Sequence, residues 1–276
     1  MNEIVKSDQE MLAEMGSTGY TGMEDVGGSS IFPPTINILQ SDKQYECFPG
    51  QEDEIKKSMY GKLFIRRDRN SVDELMDNIK GIILKIQTGH EVLREENGKK
   101  KIISSSNKMI GKREKDDWSD ANPGLTYRNM VKIILCPEYD IEIVKGMIDA
   151  GQNPFCLLAI KGGAWPSWFE AQNQMNALAM ASDTYQHKRA SELVAPSFSL
   201  DVSSIQTANQ DGVKYWIPAV KIFLNDIKTA YGFNNYAIEF KDLNLFGRVA
   251  ADIKRKETAS VSGEAVEEYL DYESLN

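Results

Sequence analysis

Hydrophobic and polar positions alternate with period two over much of the chain between Ile31 and Phe223, the signature of strands with one covered face. IFPPTINILQ opens this region. Its two prolines ahead of Ile36, Ile38 and Gln40 predict an edge strand entering a sheet. Residues 41–58 are polar with a Pro-Gly turn and read as a surface loop. In YGKLFIRRDRN, Leu63 and Ile65 alternate with Lys62, Phe64 and Arg66, predicting a strand with one buried face. NIKGIILKIQTGHEVLREENGKKKIISSS is a long strand, an Asn97-Gly98 turn and a returning strand, since Asn-Gly between alternating runs is a strong hairpin signal. A polar loop over 106–124 precedes LTYRNMVKIILCPE, another long strand, with YDIEIVKGMI as its expected hairpin partner after Pro137-Glu138.

The period changes at the chain's centre. PFCLLAIKG is almost continuously apolar, as expected of a strand buried on both faces. Gly162-Gly163 ends it, and Ser167–Glu170 reads as a capping box opening a helix over 167–181. Trp168, Ala171, Met175 and Leu178 form its apolar stripe, with Gln172, Asn173 and Asn176 outward. PSFSLDVSSI and VKYWIPAVKIF then make a hairpin, Pro218 placing the second strand at an edge or bulge. Residues 225–256 read as mostly helical, with Leu243, Phe246, Val249, Ala250 and Ile253 on one face. The first thirty residues, rich in Gly, Ser, Thr and acids, read as a flexible segment in which a short helix near Glu3–Met15 is possible.

Strands near 79–94, 99–105 or 125–136, 154–161, 197–206 and 213–224, with a helix between the third and fourth, follow the order of an oligonucleotide-binding (OB) barrel. The expected class is therefore mainly β with α. It divides into a flexible acidic segment (1–30), an OB-like β domain with inserted hairpins (31–224), a helical extension (225–256) and a disordered acidic tail (257–276).

Charge changes this picture through its placement. The 276-residue chain carries −9 overall, which argues against a nucleic-acid binder. Residues 1–27 hold −5 and residues 257–276 hold −6, however, leaving +2 in between. The tail acids Glu264, Glu267, Glu268, Asp271 and Glu273 are either solubilising or a docking and regulatory segment. No run approaches the roughly 18 apolar residues of a membrane span, and MNEIVKSDQEMLAEM has neither signal nor transit character. A cytoplasmic protein without membrane contact is expected, in the host cytoplasm if phage-encoded, with homo-oligomerisation open.

Chemistry is sparse. Cys47, Cys136 and Cys156 are isolated, and with only His90 and His187 neither a zinc site nor a His-based triad is expected. No phosphate-cradling glycine loop is present. Glu138, Asp140, Glu142 and Lys145, on one face if that segment is a strand, leave a metal-dependent nuclease as an alternative, with Glu239-Phe240-Lys241 a second scrap. The leading expectation is no enzyme, no cofactor and no metal.

What the middle of the chain does carry is cations interleaved with aromatics, the kit for sequence-tolerant binding of a single strand. Phe64 stands beside Arg66, Arg67 and Arg69, while Lys99, Lys100 and Lys101 leave the hairpin turn together. Trp118 follows Lys112 and Arg113; Tyr127 precedes Arg128; Tyr215 and Trp216 follow Lys214; Trp165 precedes the central helix. Each of these clusters also reads as a solvated surface or a strand end, and a protein-interaction module with an acidic surface is the second functional class.

The Pro-rich PPTINILQ, the Gly-Lys-Leu-Phe strand and the series NPFCLLAIKG, helix, PSFSLDVSS, NQDG, KYWIPAVKI resemble a group of single-stranded-DNA-binding proteins of bacteriophages and mobile elements. The resemblance covers roughly residues 31–224. It implies an OB-like barrel that binds single-stranded DNA in replication or recombination, with an acidic tail that docks partner proteins or competes with DNA. Two features depart from that group. The central helix carries Gln172, Asn173, Gln174 and Asn176 where the relatives tend to be basic, and EEYLDYESLN lacks the usual apolar end of such tails.

Overall fold

The computed structural model describes residues 6–17, 34–40, 57–66, 75–96, 99–106, 122–150, 152–209 and 212–239, and the structural statements below concern these. Eight strands form one curled sheet, a half-barrel accompanied by four helices. The strands are β1 (Thr35–Ile38), β2 (Leu63–Arg66), β3 (Ile79–Glu96), β4 (Lys99–Ser106), β5 (Leu125–Cys136), β6 (Cys156–Lys161), β7 (Phe198–Ala208) and β8 (Lys214–Leu224). The helices are α1 (Asp8–Ser17), α2 (Ile141–Asp149), α3 (Trp165–Ala181) and α4 (Ile227–Glu239). The sheet order is β2-β1-β6-β5-β3-β7-β8, with β4 also paired to β3.

The eighteen residues of β3 act as the spine. On one side it pairs with β5 from Ile82↔Cys136 to Arg94↔Leu125, shifting register once between Ile83 and Lys85. On its other side β7 occupies the base, from Ile79↔Val202 to Ile82↔Ser199, and β4 occupies the tip, from His90↔Ser106 to Glu96↔Lys99. The alternation read from the sequence thus sorts into two buried layers. Ile83, Ile133, Leu158, Phe198, Leu200 and Ile222 fill the concave side together with Trp168, Ala171 and Met175 of α3. Ile82, Leu84, Ile134, Cys136, Phe155 and Leu157 fill part of the outer side, under Val144 of α2 and Phe233 and Tyr236 of α4. β6 feeds both layers, so its unbroken apolar run is required by burial on two faces. Each fully buried large side chain contributes about 1.5–3 kcal/mol by removal from water.

Several expectations are corrected. YDIEIVKGMI is helix α2, not a strand: the Asp140 carboxylate accepts the Glu142 amide at 2.9 Å, and Glu138 accepts the amides of Tyr139 and Asp140. Cap chemistry at Asp140 and the three-to-four spacing of Ile141, Val144 and Ile148 outweigh the apparent two-residue alternation; Ile143 is exposed. The one-face carboxylate row imagined for a nuclease is therefore absent, since Glu142 instead pairs with Lys145 along the helix. β1 is not an edge strand, because it lies between β2 and β6 and runs parallel to β6. In β2, Phe64 is as buried as Leu63 and Ile65, covered by Leu39, Met59, Tyr60 and Leu75.

Helix α3 starts at Trp165, with Pro166 in its first turn, where a missing N–H costs nothing. Ser167 is not its cap; its hydroxyl accepts the Val220 amide of β8 at 3.0 Å. The inward stripe ends in Ala179, while Leu178 is exposed. At the chain start, Ser7 and Glu10 form a reciprocal capping box. Met11, Leu12 and Met15 of α1 are buried in the main core, so this part of the segment expected to be flexible is packed against α4. The apolar stripe expected over 243–253 lies outside the described residues.

The curl is drawn together at a seam between β1 and β8. The Gln40 side-chain amide donates to the Trp216 carbonyl at 2.7 Å and accepts the Trp216 amide at 2.8 Å, imitating one rung of a ladder. Next to it Ser204 donates its hydroxyl to the Gly61 carbonyl. Gly61 has φ +92°, and a Cβ there would meet the Trp216 indole at 2.8 Å, so only glycine fits. The amides of Trp216 and Val220 both point away from β7, which puts Pro218 between them on the side that makes no β7 bond. This explains a proline at an edge strand. Gln40→Ala should lower the unfolding free energy by about 1–3 kcal/mol, through two lost hydrogen bonds; a urea titration with an unchanged midpoint would show that the seam is not held by this amide.

Candidate nucleic-acid interface

The corner after β6 gathers most of the site. Lys161 ends the strand, Gly162–Ala164 make a 3-10 turn, and Trp165 begins α3. Gly162 takes φ +58°, a conformation that favours glycine. Gly163 admits Tyr215 of β8, whose hydroxyl lies 2.9 Å from where a Cβ would stand. Trp165 is half-buried, its ring packed on the core, and its indole N–H donates to the Asn129 carbonyl at 3.3 Å.

The ladder between β5 and β6 stops at Met130↔Lys161, and β5 runs on from there to Leu125. A groove of about 310 Å³ opens at this step, with Trp165 and Gly162 on one wall and Leu93 and Thr126–Asn129 on the other. That volume is at the lower end for small-molecule pockets, enough for a unit the size of a nucleotide. Tyr127 is buried behind the groove, with its hydroxyl 2.6 Å from His90 Nε2.

Electrostatics concentrate beside the groove. Glu91 of β3 stands directly opposite Arg128 of β5 and is buried. One of its oxygens accepts both Arg128 Nη2 at 2.5 Å and Nε at 3.1 Å; Lys161 Nζ lies 3.6 Å from the same oxygen. Lys132 is half-buried, and burial lowers its pKa below the ordinary lysine value. Glu91 opposes that fall and Lys161 adds to it. Three cations from two adjacent strands therefore share one carboxylate.

The expected contact residues divide sharply. Trp165, Arg128 and Tyr127 are brought together at the groove, with Tyr215 beside the same corner. Lys214 is exposed at the tip of the β7–β8 hairpin. Phe64, only 1% exposed, and the Tyr127 ring, at 6%, are core and offer no face to a base. Trp216 is half-buried and belongs to the seam. Arg66, Lys99, Lys100 and Lys101 lie on β2 and β4, and only their backbone is described. Arg67, Arg69, Lys112, Arg113, Trp118 and the tail acids Glu264, Glu267, Glu268, Asp271 and Glu273 fall outside the described residues.

Glu91, Lys132 and Lys161 were not among the expected residues. The signal for Lys132 was present, since it is four residues from Arg128 on one strand and so shares its face. No group of three metal-ligating side chains occurs among the described residues, and no described helix is long and apolar enough to cross a membrane. No family model, curated protein or solved structure matches the chain.

Gly163→Ala should shift Tyr215 and reduce stability, because the added methyl meets the hydroxyl. The same substitution in a Tyr215→Phe background should cost much less, since the nearest remaining ring atom lies 3.9 Å away. Equal losses in both backgrounds, measured by thermal unfolding, would contradict this contact.

Proposed function

We propose that the protein binds single-stranded DNA without strong sequence preference, in replication or recombination of a phage-like element. The observation that carries the reading is the groove itself. It sets an aromatic wall, Trp165, against Arg128, from positions far apart in the chain, and this is the pairing of stacking platform and backbone cation that single-strand binding needs. The strand order lends support. β6-β5-β3-β7-β8 with α3 between β6 and β7 is the succession expected of an OB-like barrel. Here β1 occupies the place where the first and last of these strands would meet, and the Gln40 amide bridges the remaining distance.

A protein-interaction role is the second reading, favoured by Phe169 and Met180, which stand exposed on α3 at 63% and 54%. Titration with fluorescent oligonucleotides at two salt concentrations separates the two. Salt-sensitive, sequence-tolerant binding accompanied by tryptophan quenching is expected. Trp165→Ala should remove one stacking contact and weaken binding by about 1–3 kcal/mol, with the fold kept as judged by circular dichroism. No binding at low salt would contradict single-strand binding and leave the second reading standing.

A further inference from the structure

The concave side of the sheet is filled with side chains, so a bound strand needs another path. Alternation supplies it. Ile134 of β5 and Leu157 of β6 belong to the outer layer, and residues two, four and six positions before Ile134 share its face: Lys132, Met130 and Arg128. Lys161, paired with Met130, and Glu91, paired with Arg128, lie on this face too. Three positive charges thus occupy the outer surface of β5 and β6, with Glu91 on the same face of neighbouring β3, immediately beside the Trp165 groove. Glu91 is the most deeply buried of the four. Arg128 and Lys161 keep about a third of their side-chain surface in solvent, 30% and 36%.

We propose that this outer face is a phosphodiester site: the strand leaves the Trp165 groove across β5 and β6, with its phosphates on Arg128, Lys161 and Lys132. Glu91 is the internal counterion that holds Arg128 and Lys161 in place and competes with the incoming phosphates. The inference rests on the single-strand reading and adds to it a path and a residue that limits affinity. The physical basis is simple. A carboxylate that aligns Arg128 through two hydrogen bonds lowers the entropy lost when the guanidinium meets a phosphate, yet its charge cancels part of the attraction. Removing the charge while keeping the shape therefore strengthens binding. Removing the cations weakens binding and lowers its dependence on salt.

Oligo-dT binding by the full chain, across a series of salt concentrations, tests this. Lys132→Gln/Lys161→Gln should weaken binding at low salt by about tenfold or more and reduce the slope of log affinity against log salt by about 1.4, two phosphates at roughly 0.7 each. Glu91→Gln should tighten binding about fivefold at low salt, the size of one charge interaction at the partly exposed Arg128 and Lys161. Circular dichroism and urea unfolding establish that each variant is folded; if Glu91→Gln is not, the surface double variant decides alone. Wild-type binding with an unchanged slope in the double variant overturns the outer-face path while the single-strand reading survives. Absence of wild-type binding overturns both.

Discussion

The structure depends on one antiparallel ladder, that between β3 and β5. Its register places Ile83 against Leu135 and Ile86 against Ile133 on the concave side, and Ile82 against Cys136 on the outer side. A slip of one residue would invert both layers at once, exposing the isoleucines and burying Lys132 and Arg128. Burial thus fixes the register, and the register fixes the chemistry: Glu91 meets Arg128 because the core allows no other alignment. β6, β7 and β4 are all mounted on this ladder, so the groove at Trp165 is a consequence of where β6 stops and β5 continues.

Charge and packing are tied at the same place. A buried carboxylate needs partners, and Glu91 has them in Arg128 and Lys161. The cost of placing Glu91 in the sheet is offset by fixing two cations whose side chains still reach solvent. Lys132, with its pKa pulled down by burial, completes a surface that is positive within a chain of net charge −9. Along the sequence the acidity lies at the two ends, whereas the residues of the positive patch come from the middle.

Much of the architecture was legible from periodicity. The strands expected at 79–94, 125–136, 154–161, 197–206 and 213–224 lie within a few residues of those observed, because long alternating or unbroken apolar runs have few alternatives. Trp168 is in the core, as its helical stripe implied. Failures came where short segments fit two periods. IEIV alternates like a strand, but the Asp140 cap makes it helix; LFIR alternates like a one-faced strand, but a local cluster around Leu39 and Met59 covers Phe64. The site was harder to read because its residues meet only through cross-strand register. Trp165 and Arg128 stood out as single residues, whereas Glu91 and Lys161 acquire meaning only once β3, β5 and β6 are aligned.

The central claim is that a single strand of DNA engages the Trp165 corner and the adjoining charged face. The most direct measurement follows the indole N–H signals of Trp165, Trp168 and Trp216 by nitrogen-15 NMR during titration with oligo-dT at low salt. The account predicts a large shift at Trp165, accompanied by the side-chain Nε signal of Arg128, and little change at Trp168, which is 1% exposed in the core. A titration in which Trp165 and Arg128 stay still would contradict it.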